Sequence, residues 1–172
     1  AVHNETEIAV LIKQPLSKAT EAEVQAAIWG YSLALDLTLR DVQADLKKRG
    51  RPWEMAKGFD GACPVAGFIP AALIQDPQQL QFSLQVNQQY RQQGDSRFMI
   101  RNIVQMLVEM SQWFTLQPGD IVLTGTPAGV GPLMHQDQLQ LTLSPWLDIQ
   151  TTVCDEQHIS TQSTVKAMTA TK

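Results

Sequence analysis

The chain has 172 residues, 44% of them hydrophobic and 17% charged, with thirteen basic against seventeen acidic side chains for a net charge of −4. That length fits one domain able to bury about 70% of its unfolded surface, which excludes collagen, coiled coil and wholesale disorder. No apolar run approaches the ~18 residues of a membrane helix, and no basic stripe suits nucleic acid.

Ala1-Val2-His3-Asn4-Glu5 has neither the basic nor the apolar part of a secretory signal. Cys63 and Cys154 stand outside any Cys-x-x-Cys, so neither zinc nor a disulfide framework is indicated. A reduced, cytoplasmic protein is the expectation.

In chain order, residues 4–12 read as a strand that Pro15 breaks. Thr20 with Glu23 is a capping-box signature opening a short helix, and Gly30 is expected to close it. Residues 31–37 are apolar at nearly every position, as in a strand buried on both faces. Thr38 and Asp41 suggest a second cap, followed by Leu39, Val42 and Leu46 at helical spacing as far as Gly50. The Pro- and Gly-rich stretch 52–70 has no period and reads as a long irregular loop.

Phe82, Leu84 and Val86 alternate with polar residues ahead of an Asn87-Gln88 turn. Phe98, Ile103, Leu107, Met110 and Phe114 mark the longest helix, stopped by Pro118-Gly119. A short buried strand, 121–123, runs into Gly125, Pro127, Gly129 and Gly131, and strands follow at 139–143 and 147–153. Residues 155–172 are Ser-, Thr- and Gln-rich and are expected to be a frayed, disordered tail beyond one domain, 1–154. Strands and helices in no βαβ rhythm give an α+β class.

Four segments offer chemistry. In His3-Asn4-Glu5-Thr6-Glu7, strand geometry puts His3, Glu5 and Glu7 on one face, with the two carboxylates about 7 Å apart. Such a pair suits a hard cation such as Mg²⁺, Mn²⁺ or Ca²⁺, or else lies on a solvated edge strand. Asp36 ends an apolar strand, where a carboxylate is costly unless it is paired, bound to metal or capping a helix. If that helix starts at Asp36, then Asp36, Arg40 and Gln43 share a face and offer an acid, a bidentate cation and an amide. The alternative is an ordinary Asp36–Arg40 surface pair. Lys57 lies between Trp53 and Phe59, and partial desolvation there would lower its pKa; a plain solvated lysine is the alternative. In Thr124-Gly125-Thr126-Pro127-Ala128-Gly129-Val130-Gly131, a strand followed by glycines brings backbone N–H groups to a ligand, or serves only a tight turn.

The order of these motifs along one chain is more specific than any of them alone. His-x-Glu-x-Glu is followed by Gly-Tyr-x-x-x-x-Asp-x-x-x-Arg-Asp-x-Gln, Lys-x-Phe-Asp and Gly-Asp-x-x-x-Thr-Gly-Thr-Pro-x-Gly-Val-Gly. This series resembles the fumarylacetoacetate hydrolase superfamily over residues 2–153. It is most similar to the branch of acylpyruvases, oxaloacetate tautomerases or decarboxylases, and 2-hydroxyhepta-2,4-diene-1,7-dioate isomerases.

The resemblance implies a layered mixed β-sandwich roll, a homodimer, and one Mg²⁺ or Mn²⁺ held by Glu5, Glu7 and Asp36. It further implies that Arg40, Gln43, Lys57 and Thr126 line a pocket for a 2-oxo or enol diacid. Hydrolysis, decarboxylation or tautomerisation through a metal-stabilised enolate would follow, and a metal-binding scaffold without activity is the alternative.

Family members carry, ahead of the metal strand, a lid whose His-x-x-Glu pair activates water. This sequence starts at that strand, so a chain truncated relative to the family is expected. Gly58 after the lysine and Asn87-Gln88 in place of Asn-Gly are smaller departures.

Overall fold

Residues 1–154 are described by the computed structural model, and they form three antiparallel sheets with four α-helices, an α+β architecture. The strands are β1 (Val2–Asn4), β2 (Thr6–Ile12), β3 (Ile28–Leu35), β4 (Thr38–Leu39), β5 (Ile69–Pro70), β6 (Gln81–Val86), β7 (Gln89–Asp95), β8 (Ile121–Leu123), β9 (Gly131–Pro132), β10 (Gln138–Ser144) and β11 (Leu147–Thr152). The helices are α1 (Glu21–Ala27), α2 (Arg40–Lys48), α3 (Glu54–Lys57) and α4 (Ile103–Trp113). The expected tail, 155–172, lies outside the described residues.

One sheet runs β5-β3-β2-β8 and a second β11-β10-β6-β7, while a small third sheet, β4-β1-β9, sits beside the first. Both β2 and β3 are buried on nearly every residue, as their unbroken apolar runs require. Strands β6 and β10 alternate, and their inward Phe82, Leu84, Val86, Leu139, Leu141 and Leu143 share one core with Ile8, Val10 and Leu33. Ile103 and Leu107, fully buried on α4, cover that core.

The capping box at Thr20 and Glu23 forms as read. The Asn87-Gln88 hairpin also forms, with φ of 52° and 66°, the left-handed pair a tight hairpin turn demands.

Five expectations need correction. The strand over residues 4–12 is broken at Glu5, because its two halves pair in different sheets: β1 with β4 and β9, β2 with β3 and β8. Gly30 does not close α1; it lies inside β3, where a Cβ would stand 2.2 Å from the Ile69 carbonyl of the adjacent β5. The second helix starts at Arg40, not Asp36, and has no side-chain cap: the Thr38 hydroxyl turns back to the Asp36 carbonyl.

The stretch 52–70 contains α3 and β5, and its backbone follows β3 through Leu35 N–H to Pro64 O and Ala66 N–H to Leu33 O. The longest helix is shorter than its apolar pattern suggests. Asn102 caps it, and Phe98 and Phe114 lie outside it, exposed.

Candidate active site

The β2–β3 register sets Glu7 opposite Ala34 and Thr6 opposite Leu35. Continuing one step, the Asp36 N–H donates to the Glu5 carbonyl at 2.8 Å. Residues some thirty positions apart in sequence are thereby brought to one end of one sheet. One carboxylate oxygen from each of Glu5, Glu7 and Asp36 lies within 4.8 Å of the others.

The break at Glu5 takes His3 out of this group. On β1 it pairs with Thr38 and Pro132 instead, and its pKa is lowered by partial burial and by the nearby Arg40.

Cations from α2 and α3 converge on two of the three acids, Glu5 and Asp36. Lys57 Nζ donates to Glu5 Oε2 at 2.6 Å and to Asp36 Oδ2 at 2.5 Å. Arg40 Nη1 reaches Glu5 Oε1 at 3.3 Å and Gln43 Oε1 at 2.9 Å. So Arg40 and Gln43 meet at i and i+3 on α2, and Asp36 joins them from the strand end rather than from the helix.

The lysine also departs from expectation in its titration. Burial works to lower its pKa, but the hydrogen bonds and charges of Asp36 and Glu5 outweigh it, and the net shift is upward.

Among the described residues no cation is in contact with Glu7. Its Oε2 accepts from the Gly125 N–H at 2.5 Å. Burial, followed by repulsion from Asp36 and Glu5, exceeds the effect of that hydrogen bond and of Lys57, and raises its pKa to about 7. The thiol of Cys63, exposed but not fully, is raised by its partial burial and by the charges of Asp36 and Glu7. A lone Cys in an irregular loop carries no sequence signal of this.

The 124–131 loop reaches the cluster through Gly125 and is tied to β2 and β7 by Thr126. Thr126 Oγ1 donates to the Thr6 carbonyl at 3.0 Å and accepts from Gln92 Nε2 at 2.7 Å. Gly129, at φ +104°, passes so close to β7 that a Cβ would lie 1.9 Å from the Arg91 carbonyl. Gln92 is another residue the sequence did not mark. It sits in a Gln-rich strand that reads as solvent-facing, yet it is 1% exposed.

A cleft of about 700 Å³ lined by Phe82, Phe98, Met99 and Met106 also touches this loop, at Gly125 and Thr126. Glu5, Glu7 and Asp36 are not among its lining residues.

Hard oxygen donors at this spacing are the donor set of Mg²⁺ or Mn²⁺. Their internal cation, Lys57, shows that positive charge is accommodated there.

The oxaloacetate tautomerase YcgM of Escherichia coli is 57% identical over 143 residues, 83% of this chain and 65% of that protein. This chain thus spans just under two thirds of that relative's length. The crystal structure of a fumarylacetoacetate hydrolase family protein from Yersinia pestis CO92 superposes with a TM-score of 0.87 at 52% identity, over 89% of this chain and 70% of that one. Fumarylpyruvate hydrolase from Pseudomonas aeruginosa, solved in complex with Mn²⁺ and pyruvate, gives 0.85 at 31% identity, over 89% and 66%. No described helix is long and apolar enough to cross a membrane. The family model for the C-terminal domain of fumarylacetoacetate hydrolase matches residues 1–164, and the chain belongs to that family.

Proposed function

We propose that this chain carries the metal and substrate site of a divalent-metal-dependent enzyme that interconverts the keto and enol forms of a 2-oxo diacid, oxaloacetate being the foremost candidate. The observation that carries this reading is the convergence of Glu5, Glu7 and Asp36, with the ammonium of Lys57 on the first and the last of them. The 57%-identical tautomerase supports proton transfer over the C–C cleavage of acylpyruvates or decarboxylation.

Glu5, Glu7 and Asp36 would hold Mg²⁺ or Mn²⁺. When bound, such an ion supplies Lewis-acid stabilisation of charge developing on an enolate. The Lys57 ammonium, on a flexible stem and already at the carboxylates, would supply a hydrogen-bond donor and a second positive charge to an enolate oxygen there. Arg40 is about half exposed and only one of its nitrogens is engaged by Glu5 and Gln43, so its remaining donors are open to the distant carboxylate of a diacid. Gln43, buried, holds the guanidinium in place. The Thr126 hydroxyl is already both donor and acceptor within the protein, which suits it to shape the pocket wall rather than to move a proton.

A homodimer in the cytoplasm completes the proposal. Its support is the exposure of Phe98, Ile100, Trp113 and Phe114 and the two free thiols.

The test is the ultraviolet decay of enol-oxaloacetate with Mn²⁺ against a chelated control, alongside thermal unfolding with Mn²⁺ and oxalate. Ligand at a hundred times its Kd stabilises by about 2.7 kcal/mol, a rise of a few degrees for a chain of this size. Glu7→Ala should abolish both the decay and the rise; a variant that keeps both sinks the reading.

A further inference from the structure

Strand β7 is exposed or half-exposed along its length except at Gln92. A sheet position that faces inward is ordinarily apolar, because a buried amide costs free energy unless its hydrogen bonds are made. Here the amide uses its full capacity of two acceptor and two donor bonds. Its Oε1 accepts from Asn4 Nδ2 at 2.8 Å and from the Thr6 N–H at 2.9 Å. Its Nε2 donates to Thr126 Oγ1 at 2.7 Å and to the Pro127 carbonyl at 3.0 Å.

The identity of the four partners matters more than their number. Asn4 ends β1 and Thr6 begins β2, so the Gln92 oxygen grips the two residues that flank Glu5. Thr126 and Pro127 directly follow Gly125, whose N–H holds Glu7. Thr126 also donates to the Thr6 carbonyl, which closes the loop of contacts.

We propose that Gln92 is a positioning residue of the acidic site. From the far sheet, one side chain fixes both the strand break that presents Glu5 and the loop that presents Gly125 to Glu7. This rests on the metal reading above and deepens it by naming what holds the carboxylates in place.

Gln92→Met keeps the size of the side chain and deletes all four hydrogen bonds. Outer-shell partners of this kind are worth about 10- to 100-fold in metal affinity. We expect the Mn²⁺ Kd to weaken by at least about tenfold, and the Thr6 amide to lose protection from hydrogen exchange without metal.

Ser111→Ala is the control. Ser111 is 1% exposed and bonds Ala19 N–H and the Val108 carbonyl, sharing no hydrogen-bond partner with the acids or with Gln92. It should lower the Tm while leaving the Mn²⁺ Kd within about twofold of the native chain, within the scatter expected of an uncoupled site. Should Gln92→Met not fold, Gln92→Asn withdraws the amide by one methylene and should weaken Mn²⁺ in the same direction.

A native chain that binds Mn²⁺ together with a folded Gln92 variant of unchanged Kd overturns the positioning role alone. A native chain that binds no Mn²⁺ overturns the metal reading and this inference with it.

Discussion

Replacing Lys57 separates the metal-free from the metal-bound protein. In Lys57→Met the stem volume stays and the charge goes, leaving Glu5 and Asp36 without the ammonium that stands 2.6 and 2.5 Å from them. An ion pair at about 4 Å is worth about 4 kcal/mol before desolvation at an effective dielectric constant of ~20, and breaking a fully buried pair costs about 3–5 kcal/mol. Lys57 is 24% exposed, so water screens part of this and a loss of about 2–3 kcal/mol is the reasonable expectation.

A divalent ion bound by the same carboxylates replaces the missing charge. Urea unfolding in EDTA should therefore show the full loss, and saturating Mn²⁺ should shrink it to under about 1 kcal/mol. Thermodynamic linkage then requires the variant to bind Mn²⁺ more tightly than the native chain, by about tenfold. Turnover should move the other way, falling by about 10²–10³ as a donor at the developing oxyanion is lost. An equal loss of stability in EDTA and Mn²⁺, with an unchanged Mn²⁺ Kd, would refute the charge-substitution argument.

Further outcomes follow from three individual residues. The Glu7 pKa of about 7 exceeds its unfolded value of 4.5, so the native state holds the extra proton; metal-free stability should fall by about 3 kcal/mol as pH rises from 4.5 through 7, read by urea unfolding in EDTA. Because an ion needs that carboxylate ionised, Mn²⁺ affinity should instead rise about tenfold per pH unit up to 7, with proton release seen by calorimetry in two buffers; a flat profile counts against Glu7 as a ligand. Gln88→Gly relieves a left-handed φ of 66° at a solvent-facing turn, and should add about 0.5–1 kcal/mol to stability with no change in Mn²⁺ binding. Gly129→Ala places a Cβ against the Arg91 carbonyl, which cannot rotate away, so it should cost at least about 2 kcal/mol in urea unfolding and weaken Mn²⁺ through the displaced loop.

What the sequence made legible is what local pattern can encode. Period-two alternation located β6 and β10, the capping box located α1, and the ordered motifs with the family resemblance they carry pointed to Glu5, Glu7, Asp36, Arg40, Gln43, Lys57 and Thr126, of which the fold brings the three acids, Arg40, Gln43 and Lys57 together. The break at Glu5 was not legible, because residues 4–12 keep a strand pattern straight through it. What interrupts the strand is pairing with segments tens of residues away, β4 and β9 on one side and β3 and β8 on the other. Gln92 was hidden for the same reason. A glutamine among glutamines on an edge strand is marked only by its partners, 86 and 88 residues upstream and 34 and 35 downstream.

The identities of the acidic residues are thus local while their geometry is tertiary. The three carboxylates repel one another and would spread apart on an isolated β2–β3 pair. Lys57 arriving from α3 supplies the countercharge, and the second sheet, through the amide of Gln92, fixes the backbone on both sides of Glu5. Loosening the packing between the two sheets should therefore weaken the metal site before it unfolds the chain.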